Sequence, residues 1–176
     1  MAGDVRPQRE TGAATTVGEV FLAALAARGI DYLFVNAGTD HATLVEAYAR
    51  QPESGLVFPR FVVCPHENMA VGMAQGVWHA TGRPQAVLLH VTVGTANAVS
   101  AVMNAARQNV PMLVIAGRTP VLEEGDPAAR SMSIHWAQEM FDQAGIVREH
   151  VKWDYELRAA SQLESVLDRA LAIADT

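Results

Sequence analysis

Residues 86–116, AVLLHVTVGTANAVSAVMNAARQNVPMLVIA, contain the pattern that decides the fold. The apolar run at 86–91 predicts a buried strand, and the run at 111–116 predicts another. Between them, small and apolar residues at helical spacing predict a helix over 95–107. Strands that alternate with helices in this way are typical of a parallel sheet covered by helices.

The same alternation continues on both sides of this segment. Before it, the sequence predicts helices at 15–29, 41–50 and 67–80 and strands at 30–35 and 60–64. After it, we expect a surface loop at 118–131, a helix at 134–144, a strand at 147–152 and a last helix opened by a capping box of Ser161 and Glu164. The prediction is an α/β fold: a single three-layer domain over 15–176, mostly parallel twisted sheet with helices on both faces, after a flexible tail at 1–14.

Composition narrows the range of partners. A chain of 176 residues is long enough for one domain with a sizeable core. The net charge of -6 argues against nucleic-acid binding, and the apolar runs are too short to cross a membrane. A single cysteine, Cys64, cannot form an internal disulfide, which favours the cytoplasm, and its apolar neighbours predict a buried, inert thiol.

Polar residues among small ones follow three of the predicted strands. In parallel α/β folds ligands bind at the carboxyl ends of strands, so these junctions are the candidate site. Thr39 and Asp40 follow the first strand, where we expect Asp40 to cap the next helix. After the third strand, Gly94 and Asn97 could form a backbone-lined ligand site at a helix start.

Glu67 and His90 each allow two interpretations. Glu67 begins a helix, where a carboxylate satisfies free amides and the helix dipole; alternatively, it lies at the rim of an apolar pocket and relays a proton. His90 ends an apolar strand, where it is either a structural hydrogen-bonding group or a catalytic one. Spacing alone leaves both questions open.

The ordered motifs resemble the thiamine-diphosphate-dependent 2-oxo acid decarboxylase and acetohydroxyacid synthase family. Residues 34–39, FVNAGT, resemble its F-G-x-P-G loop, and residues 66–76, HENMAVGMAQG, resemble the H-E-x-x-A…A-x-G-Y segment. Residues 89–98, LHVTVGTANA, and 111–117, PMLVIAG, are similar to the benzoylformate decarboxylase branch in particular. The resemblance covers the chain from about residue 15 to residue 174.

This resemblance implies a cofactor site. The domain would receive the pyrimidine end of thiamine diphosphate, with Glu67 bonded to a ring nitrogen so that the cofactor can lose its thiazolium proton. Ala37, Gly38, Gly94 and Asn97 would bind the ring. The resemblance also implies that Thr39 faces the substrate and that His90 transfers protons.

The resemblance implies partners as well. Mg²⁺ and the diphosphate would be held by a separate domain of a neighbouring subunit, in a homodimer or tetramer acting on a small 2-oxo acid. The isolated chain would then be inactive as an enzyme.

Three features depart from the family pattern. Ala37 replaces the usual proline, and Gln138-Glu139 are closer to the acetohydroxyacid synthase pattern than to the decarboxylases. The G-D-G…N segment for Mg²⁺ and diphosphate is absent, and the chain stops before the family's usual last strand. We therefore expect a fragment of a longer decarboxylase or carboligase. The alternatives are a stand-alone small subunit of a two-chain decarboxylase and a non-catalytic α/β binding module.

Overall fold

A computed structural model describes residues 15–125 and 129–176, and its centre is a four-stranded parallel sheet. The strands are β1 (Tyr32–Val35), β2 (Arg60–Val63), β3 (Gln85–Leu89) and β4 (Met112–Ala116), in the order β2-β1-β3-β4. The register places Phe34 beside Val87 and Val87 beside Val114. All five residues of β3 are buried, which explains its almost uninterrupted apolar sequence.

Eight α-helices connect or cover the strands in the described residues. They are α1 (Val17–Ala27), α2 (Ala42–Ala49), α3 (Gln51–Ser54), α4 (Glu67–Thr81), α5 (Val91–Asn97), α6 (Val99–Arg107), α7 (Ser133–Ala137) and α8 (Leu163–Ala174). Short 3₁₀ helices lie at Thr39–His41, Ala144–Ile146, Arg148–His150 and Ala160–Gln162. None of the helices in 15–125 and 129–176 is long and apolar enough to cross a membrane.

The core has two parts, one on each face of the sheet. Successive residues of a strand point to opposite faces. Leu33 and Leu88 accordingly pack with α1 and α8, whereas Phe34 and Val87 pack with α4 and α6. The predicted α/β class with helices on both faces is therefore confirmed.

The first two thirds of the chain follow the predicted elements closely. The capping box of Thr16 and Glu19 opens α1, and Gly82 ends α4 in the left-handed conformation at φ +69°. The helix predicted from residue 95 is different: it begins at Val91 and is divided at Ala98 into α5 and α6. Gly94 thus lies inside α5, and its predicted position at a helix start is wrong.

The last third differs more from prediction. The helix expected at 134–144 ends at Ala137, and the strand expected at 147–152 is replaced by the 3₁₀ helix Arg148–His150. Arg148 binds both Asp142 and Asp154, which holds this segment in a compact turn instead of an extended strand. The capping box predicted at residues 161 and 164 is also wrong, since α8 begins without a side-chain cap.

One side of β4 has no neighbouring strand among the described residues. Its five residues are all half-buried, and a groove of about 1270 Å³ lies between β4 and residues 151–158. The loop at 118–131 contains no helix or strand where it is described, and residues 126–128 lie outside the described part. The predicted tail at 1–14 lies outside it too.

Candidate functional site

The candidate site lies at the carboxyl ends of the strands, where Asp40 follows β1, Glu67 follows β2 and His90 follows β3. Main-chain hydrogen bonds continue past the strands here: Asn36 donates to the carbonyl of Leu88 at 3.0 Å, and Gly117 donates to that of Leu89 at 3.2 Å. The Asn36 side chain also donates to the carbonyl of Cys64 at 3.0 Å. These bonds hold the ends of all four strands close together, as the parallel topology predicts.

Glu67 is buried, with 8% of its surface exposed, although it is the first residue of α4. Its Oε2 accepts a hydrogen bond from the Asn97 side chain at 2.5 Å. The side-chain cap of α4 is His66, which accepts from the amide of Asn68, so Glu67 is not the cap. Gly94 faces the other oxygen, Oε1, for which the described residues provide no hydrogen-bond donor. One carboxylate oxygen is therefore fixed while the other remains available.

His90 forms a second polar group with residues from three segments. Its Nδ1 lies 2.5 Å from Oδ1 of Asp40, and its Nε2 lies 3.1 Å from the side-chain amide nitrogen of Gln138. Gly38 contacts the imidazole ring so closely that a β-carbon there would overlap it. The ring is therefore held at both nitrogens and on one side.

Asp40 does not cap the next helix, which corrects the sequence-based prediction. Its side chain is 4% exposed and is directed towards His90, His41 and the amide of Val91. Burial alone would raise the pKa of this carboxyl, but the hydrogen bonds with His41 and His90 outweigh burial and lower it. Asp40 is thus an ionised, buried carboxylate at the centre of the site.

The structure distributes the predicted site residues over two groups. Glu67, Gly94 and Asn97 form one group, and Gly38 and His90 belong to the other. The helix α5 connects them, since His90 immediately precedes it and Asn97 is its last residue. Ala37 and Thr39 are exposed in the loop after β1 and have no side-chain hydrogen bond with either group in the described residues.

Sequence analysis missed several residues that complete the site. Only the family pattern marks Gln138 in the sequence, and no pattern marks Gln143. Gln143 is nevertheless buried, and its side chain donates to Thr95 at 3.2 Å and to the carbonyl of Gly117 at 2.9 Å. Both glutamines come from the segment whose helix was mispredicted, so no periodic signal marked them. The buried position of Cys64 was predicted correctly, and burial raises the pKa of its thiol.

Residues 15–146 match the family described as "Thiamine pyrophosphate enzyme, N-terminal TPP binding domain". The chain belongs to this family. Among relatives of this thiamine pyrophosphate enzyme domain, sulfoacetaldehyde acetyltransferase of Rhodobacter capsulatus is 31% identical over 89% of this chain and 24% of its own length. Benzoylformate decarboxylase of Pseudomonas aeruginosa is 29% identical over 83% of this chain and 25% of its own.

A solved structure shows the same fold. The thiamine diphosphate-dependent 4-hydroxybenzoylformate decarboxylase of Rhodococcus jostii RHA1 superposes with a TM-score of 0.70 and 27% identity. The match covers 89% of this chain and 27% of that one. This thiamine pyrophosphate enzyme domain therefore spans about a quarter of the length of the proteins it matches.

Proposed function

We propose that this chain is the pyrimidine-binding domain of a thiamine-diphosphate-dependent enzyme that acts on 2-oxo acids, as a decarboxylase or an acetolactate-synthase-like carboligase. The observation that carries the proposal is the buried carboxyl of Glu67, with one oxygen held by Asn97 and the other open. The relatives support the reaction class, since they include a benzoylformate decarboxylase and a mitochondrial acetolactate synthase catalytic subunit of Aspergillus candidus, 27% identical over 92% of this chain.

The residues around Glu67 fit an aminopyrimidine ring. Such a ring has nitrogen atoms that pair with a carboxyl group, and Oε1 of Glu67 is the free atom that could bind one of them. Gly94 lies beside this oxygen and has no side chain, so no side chain at that position covers Oε1. When bound, thiamine diphosphate supplies the carbon nucleophile that adds to the 2-oxo group and accepts the electrons left by carbon dioxide.

The protein contributes orientation and proton transfer. In this proposal Glu67 shares a proton with a pyrimidine nitrogen, and Asn97 fixes the carboxyl group in the required direction. The main chain at Ala37 and Gly38 lies against the ring. His90 exchanges a proton with the substrate through Nε2, and Thr39, which is exposed in the same loop, faces the substrate.

An assembly is part of the proposal. Val63, Met69 and Met73 are apolar side chains exposed by 74%, 48% and 40%, all near the start of α4 that carries Glu67. Exposed apolar groups clustered beside a site favour contact with another protein surface. We assign this surface to a homodimer or tetramer in which a neighbouring subunit contributes the domain for diphosphate and Mg²⁺. The single cysteine favours a cytoplasmic location.

The decisive experiment compares Glu67→Gln with Glu46→Gln in an assembly that contains the diphosphate-binding domain. Glu46 is an exposed glutamate of α2 and provides the matched control. We expect Glu67→Gln to lower cofactor-dependent release of carbon dioxide from benzoylformate, or formation of acetolactate from pyruvate, by about 10²–10⁴-fold. Glu46→Gln should retain the full rate. Equal rates in both variants would refute the assignment of Glu67.

The isolated chain offers a second test. Because the phosphate contacts are assigned to another domain, calorimetry on the 176-residue chain should show weak or undetectable binding of thiamine diphosphate. Tight binding to this chain alone would contradict the proposal that it supplies only the pyrimidine half of the site.

A further inference from the structure

Asp40 and His90 are brought together by two neighbouring strands. Asp40 lies in the 3₁₀ helix after β1, and His90 follows the last residue of β3. The side chains are 4% and 18% exposed, and Oδ1 of Asp40 lies 2.5 Å from Nδ1 of His90. An ionised carboxylate can only accept a hydrogen bond, so the contact requires a proton on Nδ1.

The remaining nitrogen of His90 supports the same tautomer. Its Nε2 lies 3.1 Å from the amide nitrogen of Gln138, a group that can only donate. Nε2 must therefore present a lone pair. Two contacts on opposite sides of the ring independently indicate a neutral imidazole with the proton on Nδ1.

The second oxygen of Asp40 is also held in place. Oδ2 accepts from the amide of Val91 at 3.3 Å and lies 3.2 Å from Nε2 of His41. His41 has the opposite tautomer, because its Nδ1 accepts from the amide of Gly38 and its Nε2 donates to the carbonyl of Leu89. Asp40 therefore has donors on both oxygens, and its direction is fixed.

The backbone around this pair is unusual. Val91 has φ +31°, in the left-handed region, a conformation that is strained for a β-branched residue. Its amide is the one that Asp40 accepts from. Gly38 and Gly117 leave space for the imidazole and the carboxylate, and a β-carbon at either position would overlap them. Three loops are thus shaped around the Asp40–His90 pair.

From this geometry we infer that Asp40 is a positioning residue, which fixes His90 with its proton on Nδ1 and leaves Nε2 as the nitrogen that exchanges a proton with the substrate. The inference rests on the proposed role of His90 in the reaction. The tautomer of His90, however, can be measured without substrate or cofactor. The substrate would take the position now occupied by the Gln138 amide at Nε2.

The test is long-range ¹H–¹⁵N NMR of the full 176-residue chain labelled at its six histidines, at a pH where the imidazoles are neutral. His90 is assigned by the loss of its signals in His90→Gln. We expect the Nδ1–H tautomer for His90 and the Nε2–H tautomer for His41, which serves as an internal control. A proton on Nε2 of His90 in the wild-type chain would overturn the inference, whatever the variants do.

Asp40→Asn provides the second readout. Asparagine replaces the charged acceptor at Nδ1 with a neutral amide that can either accept or donate, so the fraction of His90 in the Nδ1–H tautomer should fall in this variant. Asp168→Asn, at an exposed aspartate paired with Arg28, should leave that fraction unchanged. In the active assembly Asp40→Asn should lower kcat by about 10²–10⁴-fold without weakening cofactor binding. An unchanged tautomer in Asp40→Asn contradicts positioning by Asp40. A changed tautomer with unchanged kcat contradicts the proton-transfer role of His90 instead.

Discussion

Gly117→Ala should destabilise the domain because of a single contact. Gly117 follows β4 with its α-carbon against the carboxylate of Asp40, and an added β-carbon would overlap two atoms of that side chain. The glycine cannot easily move, since its amide donates to Leu89 and its carbonyl accepts from Gln143. Overpacking typically costs about 1–3 kcal/mol, and a weakened hydrogen bond to a charged group adds about 1–2 kcal/mol.

We therefore expect Gly117→Ala to lower the free energy of unfolding by about 2–5 kcal/mol, or the Tm by about 4–20 °C for a domain of this size. The matched control is Gly72→Ala in α4, where a β-carbon would meet no atom within 4 Å. An alanine in a helix interior is favoured over glycine by about 0.5–1 kcal/mol, so this variant should be stabilised. Urea unfolding of the 176-residue chain, followed by circular dichroism, measures both. If Gly117→Ala is as stable as the wild type and the His90 signals are unchanged, the packing argument is refuted.

Four further predictions concern other parts of the molecule. Gln85→Leu should lower the free energy of unfolding in urea by about 2–5 kcal/mol. The buried Gln85 side chain accepts from the main-chain amides of Asp31 and Tyr32, and both amides would lose their partner. Wild-type stability in this variant would show that water replaces the glutamine oxygen as the acceptor. The pKa of Glu139 lies below its ordinary value near 4.5, mainly because Thr119 donates a hydrogen bond to the carboxylate and also because Arg118 and Arg130 lie beside it. The stability that the Glu139 carboxylate contributes is present above pH 4.5 and is lost as the pH falls through the lowered pKa of the folded state. Glu139→Gln should therefore make the free energy of unfolding less dependent on pH in acid. The same dependence on pH in the variant and the wild type would contradict this. Cys64 should react with iodoacetamide at least about 100-fold more slowly in the native chain than in urea, because the thiol is buried and burial raises its pKa. Comparable rates would show that the segment around Cys64 opens readily in the native chain. In the active assembly, His90→Ala should impair decarboxylation of an aromatic 2-oxo acid more than cofactor binding, and equal losses in both would make the histidine structural.

The sequence predicted the part of the fold that depends on local periodicity. The segments that became β1 and β3 carry apolar residues that are almost all buried. In β2 and α4 the apolar pattern also predicted the element, although Val63, Met69 and Met73 are exposed. Prediction failed after residue 137, where side-chain contacts between distant residues decide the conformation. Arg148, for example, binds Asp142 and Asp154, and no periodic pattern encodes such a turn.

The candidate site was predictable to a similar extent. Strand ends and family motifs pointed to Glu67, His90 and Asn97 as candidates, and in the structure the Asn97 side chain donates to Glu67. The role of Asp40 was not predictable, because a polar residue before a helix is normally its cap. Only the register of β1 beside β3 brings its carboxylate to His90, and Gln138 reaches the same ring from nearly fifty residues further along the chain.

The seven residues of α5 separate the two polar groups of the site by a fixed length. At 1.5 Å per residue, His90 and Asn97 are about 10 Å apart along the helix axis. A shift or rotation of α5 would displace both side chains at once, so their spacing cannot be adjusted independently. Under the proposed function, substitutions in the flanking loops, at Thr39 and Gln138, should therefore change substrate preference, whereas a change in the length of α5 should disturb both polar groups at once.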